Sequence, residues 1–327
     1  MRAWLLDNTT GLGALRLVND APVPKCDAGQ VRIRVQYAAL NPADRFLAEN
    51  LYPARPAFPH ILGRDGSGVI DEVGPGVSGL ARGDRVAILR GDAGVDKPGT
   101  LAEYVVVPSD VVVPIPQGWS EQEAAAGPLV YLTAYQALTM WGPLEGADVL
   151  VTGATGGVGL ASVHLAKALG FRVIGLTRGM AKRQRLIDEG CDAVLDPEAD
   201  LKPEVKRITG GKGVDLVVDN VAGPLFNKLP DLLADRGRIS VVGMLGGPVP
   251  SFNTAKLIFR RVRIGGVLVS GYTVSESRAA WREIVNRLAA TNRKPVVDSV
   301  FPFRELRAAF DRLAAGPFGK VLIHVGD

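Results

Sequence analysis

Glycine is concentrated in one short stretch of the chain, between an apolar run and a helix-forming segment. The run Val149–Val151 leads into Thr152–Gly159, and Leu160–Leu169 then has the composition of a helix. A turn of this kind directs backbone N–H groups and the positive end of a helix towards an anion. The pattern therefore predicts binding of a dinucleotide through its pyrophosphate. The residues expected to contact it are Gly153, Thr155, Gly156, Gly157, Val158 and Gly159.

The glycines of this turn have different predicted tasks. Gly153 takes the tight turn, Gly156 and Gly157 let the backbone approach the pyrophosphate, and Gly159 lets the helix pack closely on the strand. The alternative is a turn with a merely structural role. The strand–turn–helix context favours cofactor binding, because the mechanism requires it.

Strand-like and helix-like segments alternate after the turn, which predicts an α/β domain with six parallel strands in one doubly wound sheet. Ligands of such sheets lie at the carboxyl ends of the strands, so Thr177, Asn220 and Gly243 are expected near the nucleotide. After Val149–Val151, the predicted strands are Arg172–Leu176, Ala193–Leu195, Val214–Asp219, Arg238–Val242 and Val262–Leu268, and the predicted helices are Ala181–Glu189 and Leu225–Leu233.

The first hundred or so residues differ, since short alternating strands such as Val31–Tyr37 and Val69–Val73 are separated by Gly and Pro turns. This pattern is typical of an antiparallel, barrel-like domain. A chain of 327 residues exceeds one ordinary domain. Near the C-terminus, helices are predicted over Ala279–Ala289 and Glu305–Ala314, and the last strand, Val321–His324, is expected to return to the first domain.

Composition argues against several classes of function. The net charge is only +4 and the basic residues are dispersed, so neither nucleic acid nor a membrane surface is an expected partner. No long apolar run or signal peptide is visible, which predicts a cytoplasmic protein. Cys26 and Cys191 fit no metal or redox spacing, and the three histidines form no metal site or nucleophilic triad.

Several spaced motifs resemble the medium-chain dehydrogenase/reductase superfamily over essentially the whole chain. The resemblance implies a GroES-like β-barrel domain formed by residues 1–122 and 269–327, and a Rossmann domain formed by residues 123–268. It also implies an active site in the cleft between them and a homodimer or homotetramer. The motifs are Asn41–Asp44, Gly63–Gly68, Val73–Val77, Gly83–Val86, Ala102–Val105, Leu132–Tyr135 and the glycine turn.

Zinc alcohol dehydrogenases of this superfamily bind catalytic zinc through two cysteines and a histidine. The matching positions here are Asn41, Arg64 and Leu129, and none of these replaces its ligand well. The cysteines of the structural zinc lobe are missing from Gly91–Thr100, and Ala43 replaces the hydroxyl of the proton relay. No metal site is therefore expected. The chain instead resembles the zinc-independent quinone oxidoreductase branch, which includes the zeta-crystallins, and the neighbouring enoyl thioester reductases.

The end of the second parallel strand bears on the choice of cofactor. An NAD-specific protein carries an acid there for the adenosine ribose, whereas this chain has Thr177 and Arg178, with Lys182 close behind. A hydroxyl and two cations suit a 2′-phosphate, which predicts NADPH. The alternative is a solvated basic face. By resemblance alone, Thr133 is expected at the nicotinamide end.

Three residues are candidates for chemistry on a substrate. Tyr52 is a potential proton donor, or a residue that only lines the substrate site. Asn41 is expected to bind the nicotinamide ribose or a substrate carbonyl, to cap the helix Pro42–Ala48, or to do both. Arg64 is expected either to polarise a carbonyl oxygen or to bind an acidic group, or to form an ion pair with Asp44 or Asp65.

The sequence thus predicts an NADPH-dependent reductase that transfers hydride to a quinone or to an α,β-unsaturated carbonyl compound. One alternative is an enoyl thioester reductase. The other, from a different functional class, is a crystallin-like nucleotide-binding protein with little turnover.

Overall fold

The computed structural model describes residues 1–326, and for Met180 and Lys256 it describes the backbone only. The chain divides into two compact units. Unit 1 comprises Met1–Leu129, Tyr272–Trp281 and the chain from Lys294 onward, and unit 2 comprises Val130–Gly271 and Arg282–Arg293. Each unit is therefore assembled from more than one segment of the chain.

The strands of the described chain fall into three sheets. They are β1 (Ala3–Leu6), β2 (Leu15–Val18), β3 (Gln30–Ala39), β4 (Asp65–Val73), β5 (Arg85–Ile88), β6 (Tyr104–Pro108), β7 (Val112–Pro114), β8 (Asp148–Val151), β9 (Arg172–Leu176), β10 (Ala193–Leu195), β11 (Val214–Asp219), β12 (Leu233–Val241), β13 (Arg263–Gly266), β14 (Val297–Pro302) and β15 (Lys320–His324).

The α-helices alternate with the strands of unit 2 and are sparser in unit 1. They are α1 (Pro42–Ala48), α2 (Glu121–Ala126), α3 (Pro128–Thr139), α4 (Gly157–Ala168), α5 (Arg183–Asp188), α6 (Leu201–Ile208), α7 (Gly223–Phe226), α8 (Leu229–Leu232), α9 (Ala255–Arg260), α10 (Val274–Ala290) and α11 (Leu306–Ala314). No helix within residues 1–326 is both long and apolar enough to cross a membrane.

Unit 1 is built around β3, the longest strand. Val31, Ile33 and Val35 alternate along it and are buried in the core of the unit, as the period of a half-buried strand requires. β4 and β6 pair with β3 in antiparallel fashion, and so does β15. The prediction that the last strand returns to the first domain is therefore confirmed.

Unit 2 contains a parallel sheet in the order β10-β9-β8-β11-β12-β13. With β8 as its first strand, this is the 3-2-1-4-5-6 order of the Rossmann fold, with the topological switch between β8 and β11. Val149, Leu150 and Val151 of β8 are all buried, which explains why this part of the strand is apolar without alternation. The predicted α/β fold with a six-stranded doubly wound sheet is confirmed.

Some predicted elements differ from the structure. The predicted helix Leu225–Leu233 is divided into the short helices α7 and α8, because Pro224 and Pro230 each lie in the first turn of a helix. A proline lacks the N–H that would continue a preceding helix, so Pro230 starts a new one. The sixth strand is also shorter than predicted, because only Arg263–Gly266 pairs with β12.

Candidate functional site

The turn between β8 and α4 has the geometry that the glycine pattern predicts. Gly153 has a φ of +58°, in the left-handed region where a side chain is strained. A Cβ on Gly159 would lie 2.3 Å from the carbonyl oxygen of Gly153, so this glycine is required for close packing of α4 on the turn. Both positions are therefore explained by the fold itself.

Gly156 is different, because the protein leaves space beside it. Its φ of −77° is ordinary for any residue. An added Cβ would meet only the carbonyl oxygen of Gly153, at 3.5 Å, which is normal van der Waals contact. The fold alone thus gives no reason for glycine here, whereas a phosphate lying against the backbone would occupy the space of a side chain.

The start of α4 is suited to an anion. No side chain caps this helix, and its first turn carries no acidic residue. Thr155, Gly156, Gly157 and Val158 are half-exposed where the helix begins. The unsatisfied N–H groups and the positive end of a helix stabilise negative charge at such a position.

The switch point beside this turn is lined by Asn220, which follows β11. Its amide donates to the carbonyl oxygen of Thr152 at 2.8 Å, and its backbone N–H donates to the Thr152 hydroxyl at 2.9 Å. That hydroxyl donates to Asp219 at 2.7 Å. Asn220 Oδ1 is buried without a hydrogen-bond partner among the described residues, so it can accept one from a ligand.

Asp219 and Gly243 contact the residues that hold Asn220 in place. Burial raises the pKa of the Asp219 carboxyl, against hydrogen bonds from Thr152 and from the backbone N–H groups of Val221 and Ala222. A Cβ on Gly243 would lie 2.5 Å from the carbonyl oxygen of Asn220. Gly243 is therefore required by packing, whether or not it also touches a ligand.

The predicted 2′-phosphate residues lie after β9. Thr177 is buried, and its hydroxyl accepts a hydrogen bond from the N–H of Gly179 at 3.2 Å. Arg178 is exposed and Lys182 is half-buried at the turn before α5. Thr133, predicted at the nicotinamide end, lies half-buried in α3 of the same unit.

Unit 1 contains a buried group of polar residues with balanced charge. It includes two acids, two bases and one amide, none more than 8% exposed, and we call it the buried charge cluster. Its members are Asn41, Asp44, Arg64, Asp65 and Lys320. The cluster brings together two of the three catalytic candidates, Asn41 and Arg64, and the third, Tyr52, lies against it.

Arg64 uses two of its three nitrogen atoms within the protein. Its Nε lies 3.3 Å from Oδ1 of Asp44, and Nη1 donates to the Tyr52 hydroxyl at 3.2 Å, with the guanidinium carbon 4.6 Å from the centre of the Tyr52 ring. Nη2 is buried with no partner among the described residues. An unmade hydrogen bond of this kind costs about 1–3 kcal/mol, more when the group is charged.

The second carboxylate oxygen of Asp44, Oδ2, accepts the backbone N–H of Asn41 at 2.8 Å. Burial raises the pKa of the Asp44 carboxyl, and the guanidinium of Arg64 opposes that rise. Burial lowers the pKa of Arg64, but Asp44 and Tyr52 together outweigh burial, so the pKa of Arg64 lies above its ordinary value. Of the ion pairs predicted for Arg64, the one with Asp44 is confirmed.

The side chain of Asn41 is fully committed as a donor. Its Nδ2 donates to Asp65 Oδ2 at 2.9 Å and to the carbonyl oxygen of Ala39 at 3.2 Å, and its Oδ1 accepts from Lys320 Nζ at 2.7 Å. Both amide protons thus have partners within the protein, and the expected binding of the nicotinamide ribose or of a substrate carbonyl by Asn41 stays a prediction. Asn41 is also the N-cap residue of α1 and forms a capping box with Asp44, so the predicted capping of this helix is confirmed.

Sequence reasoning missed Lys320 as a functional candidate and gave Asp65 only as a partner for Arg64. Lys320 instead pairs with Asp65 at 3.1 Å. The sequence offered one signal, because Lys320 directly precedes the apolar residues Val321–Ile323 of a strand. A cation buried with such a strand needs a partner of opposite charge, so its position predicts an ion pair.

The histidines and cysteines have structural surroundings. His164 lies between the Tyr131 hydroxyl, at 2.7 Å, and Glu189, at 2.8 Å. Cys26 and Cys191 are free thiols, and burial raises the pKa of Cys191 to about 12, which makes it a poor nucleophile. Within residues 1–326, no group of three or more His, Cys, Asp or Glu side chains is placed to hold a metal ion.

Comparisons with known proteins agree with this description. The chain matches the family described as alcohol dehydrogenase GroES-like domain over residues 27–117, and the family described as zinc-binding dehydrogenase over residues 157–290. It is 31% identical to the quinone oxidoreductase of Lama guanicoe, over 99% of this chain and 97% of that protein. The predicted combination of a GroES-like domain with a Rossmann domain is thereby confirmed.

Two solved structures extend the comparison. A crystal structure of an NAD-dependent alcohol dehydrogenase has a TM-score of 0.90 and 34% identity, covering 100% of both chains. The Escherichia coli quinone oxidoreductase complexed with NADPH has a TM-score of 0.89 and 26% identity, covering 99% of this chain and 100% of that one.

The open space beside Gly156 gives a direct test. We expect Gly156→Val to fold, because only one protein atom would lie within 4 Å of the new Cβ, and to lose dinucleotide binding at least a hundredfold. Calorimetric titration with NADPH and NADH measures the loss. Gly13→Val is the control, since that glycine also has open space but lies in unit 1. Unchanged affinity in folded Gly156→Val would mean that the phosphates bind elsewhere.

Proposed function

We propose that this chain, which belongs to the medium-chain dehydrogenase/reductase superfamily, transfers hydride from NADPH to a quinone or to the β-carbon of an α,β-unsaturated carbonyl compound. The comparisons support an oxidoreductase of this superfamily that binds a nicotinamide cofactor. The choice of NADPH, the class of acceptor and independence from zinc are our proposals.

The residues of unit 2 fit a dinucleotide. Gly156 leaves space for a phosphate, no side chain caps the start of α4, and Asn220 Oδ1 is a buried acceptor that has no partner in the described part of the chain. In the proposal, the bound cofactor supplies the hydride. The protein holds it through the turn, through Asn220 and through the polar groups after β9.

The exposed Arg178 supports NADPH as the preferred cofactor. Thr177 and Arg178 stand where an acid would bind the ribose of NAD, and a guanidinium binds a 2′-phosphate well. The relatives do not agree on this point, because one solved structure is described as NAD-dependent and another is complexed with NADPH. Cofactor choice therefore needs a measurement on this chain.

The observation that carries the proposed reaction is the unpartnered Nη2 of Arg64 beside the Tyr52 hydroxyl. When hydride adds to the β-carbon of an enone, the electron pair moves to the carbonyl oxygen, which becomes an enolate. A fixed cationic donor in a buried position stabilises such an oxygen without reorganising at the moment of reaction. Arg64 Nη2 can act as this donor, because it donates to no other group among the described residues.

Tyr52 has the right polarity to deliver the proton. Its oxygen accepts a hydrogen bond from Arg64, so its own O–H is left to donate. Proton transfer to the enolate completes the reduction, and the phenolate that remains is stabilised by the adjacent guanidinium until solvent restores its proton. A quinone needs the same hydride and one proton, but the hydroquinone anion is a weaker base than an enolate and can leave the site to be protonated by solvent.

Independence from zinc is supported by the chemistry of the residues at the ligand positions. Asn41 and Arg64 are engaged in the buried charge cluster, and Leu129 has no lone pair. The matched segment of the zinc-binding dehydrogenase family begins at residue 157 and contains none of these positions.

We expect purified protein to contain far less than one zinc per chain and to keep its activity in a chelator. Elemental analysis measures the first quantity, and NADPH oxidation before and after chelation measures the second. One tightly bound zinc per chain, with activity lost on its removal, would contradict the proposal.

Arg178 should set the cofactor preference. Arg178→Ala is expected to weaken NADPH binding by about 1.5–3 kcal/mol, the range for a hydrogen bond to a charged group, and to leave NADH binding nearly unchanged. Fluorescence titration with each nucleotide gives both affinities. Arg183→Ala, which removes another exposed cation of the same basic run, is the control. Equal losses for the two nucleotides would show that Arg178 does not read the 2′-phosphate.

Tyr52→Phe tests the proton donor. We expect turnover with enals to fall by about 10²–10⁴-fold, the range for a positioned general acid, with NADPH affinity preserved and a much smaller loss with quinones. Tyr104→Phe is a matched control, because the guanidinium of Arg32 also lies over that ring, at 5.6 Å, but outside the buried charge cluster. A loss of only a few-fold on enals would assign proton delivery to solvent or to the cofactor.

A further inference from the structure

A series of hydrogen bonds, which we call the His164 network, joins α3, α4 and the end of α5 in unit 2. The Tyr131 hydroxyl lies 2.7 Å from Nδ1 of His164, and Nε2 of His164 lies 2.8 Å from Oε2 of Glu189. We propose that His164 is a positioning residue, which fixes α3 against α4 and so places the nicotinamide end of the cofactor site relative to the glycine turn. The inference rests on the proposed function and adds to it a determinant of cofactor affinity.

The direction of each hydrogen bond follows from the carboxylate at one end of the network. The hydrogen bond from His164 holds the pKa of Glu189 below its ordinary value, so this carboxylate is ionised and only accepts. Nε2 of His164 therefore carries a hydrogen and donates it to Glu189. In the neutral imidazole Nδ1 is then the acceptor, so the Tyr131 hydroxyl donates to it.

Glu189 is itself held in place by Arg293. Nη1 of Arg293 donates to Oε2 of Glu189 at 3.1 Å, and Nη2 donates to the carbonyl oxygen of Asp188 at 2.8 Å. The same carboxylate oxygen thus accepts from Arg293 and from His164. Hydrogen bonds to an ionised group are stronger than those between neutral groups, so the imidazole ring is firmly anchored at Nε2.

Burial makes the contact between α3 and α4 specific in its geometry. Tyr131 is 2% exposed and His164 is 1% exposed, so water cannot easily replace either partner of their hydrogen bond. Most of the other buried residues of α4 are apolar, and the hydrophobic effect that packs them is non-directional. A hydrogen bond depends on angle as well as distance, so it fixes the rotation of each helix about its own axis.

Both helices carry residues that are expected to contact the cofactor. His164 lies seven residues after Gly157, the first residue of α4, which is about two helical turns from the glycine turn. In α3, Thr133 follows Tyr131 by two residues, or about 200° around a helix axis. When Tyr131 is directed towards α4, Thr133 therefore lies on nearly the opposite side of α3. The His164 network thus fixes the position of the side of α3 that is expected at the nicotinamide.

α3 has a second anchor near its C-terminal end. Ser240 of β12 donates to the carbonyl oxygen of Ala137 at 2.7 Å and accepts from Nε1 of Trp141 at 2.8 Å. Without the imidazole, this end of α3 remains attached to the sheet, while the half that carries Tyr131 is free to shift. Loss of His164 is therefore expected to move α3 without unfolding unit 2.

The test compares two ligands that differ only in the nicotinamide ring. 2′-Phospho-ADP-ribose has the adenosine 2′-phosphate and the pyrophosphate of NADPH but no nicotinamide. We expect the wild-type protein to bind NADPH more tightly than this fragment. In His164→Leu, the Kd of NADPH should rise by about tenfold and the Kd of the fragment by less than about twofold, both measured by calorimetric titration.

Two further variants separate positioning from a general loss of stability. His164→Gln should restore most of the lost affinity, because an amide oxygen can accept from Tyr131 while the amide nitrogen donates to Glu189. Thr209→Val is the stability control, since it removes a buried hydrogen bond to the carbonyl oxygen of Val205, at 2.8 Å, in unit 2 but outside α3 and α4. It should lower the melting temperature and leave both Kd values unchanged.

If His164→Leu does not fold, Tyr131→Phe removes only the hydroxyl at the other end of the contact. We expect it to raise the Kd of NADPH several-fold, again without a matching change for the fragment. Equal changes for the two ligands in a folded variant, or no change for either, would overturn the inference and leave the His164 network as a stabilising feature only. Equal affinity of the wild-type protein for both ligands would overturn it as well.

The titrations need no acceptor, so they are independent of the proposed reaction. A protein that bound NADPH but reduced neither quinones nor enones would refute the proposed function, while the comparison of the two ligands would still decide the role of His164. A protein that bound NADH in place of NADPH would refute the proposed cofactor, and the same comparison would then use NADH and ADP-ribose.

Discussion

Two acids and two bases are buried together in unit 1, and each charge is tolerated only because an opposite charge lies against it. Removing one partner of such a pair destabilises a protein by about 3–5 kcal/mol, because the other charge is left buried and uncompensated. Asp44 holds Arg64, and Asp65 holds Lys320. A hydrophobic cluster of the same volume could stabilise the fold equally well, so we interpret the charges as serving the site.

The cluster also divides its hydrogen bonds unequally. Asp44 accepts from the backbone of Asn41 with one oxygen and from Arg64 Nε with the other, whereas Arg64 Nη2 has no partner among the described residues. The side chain of Asn41, in contrast, has no free donor. In the proposed reaction, stabilisation of the negative oxygen is therefore assigned to Arg64 and Tyr52 rather than to Asn41. In unit 2, Asn220 Oδ1 is a hydrogen-bond acceptor with no partner among the described residues. The fold also leaves an open space beside Gly156.

Features that depend on a local residue pattern, such as the glycine turn with its flanking strand and helix, were predictable from the sequence. The turn and its flanking elements were predictable because Gly153, Gly156 and Gly159 lie within seven residues and the cofactor mechanism requires their order. The division of α7 from α8 was missed because the apolar period was weighed above the prolines that interrupt it. Single-residue spacing could not reveal that Lys320 meets Asn41, because 279 residues separate them and only the pairing of β15 with β3 brings them together.

In the proposed reaction, a buried cationic donor in unit 1, Arg64 Nη2, stabilises an oxygen that becomes negative on hydride addition. The most direct measurement compares steady-state NADPH oxidation with four acceptors: a quinone, an α,β-unsaturated aldehyde, its saturated analogue and an enoyl thioester. We expect turnover with the quinone and with the unsaturated aldehyde, at rates well above the rate with the saturated aldehyde. The proposed reaction would be contradicted if the saturated aldehyde were reduced at the same rate as the unsaturated one. It would also be contradicted if the protein bound NADPH but no acceptor oxidised it.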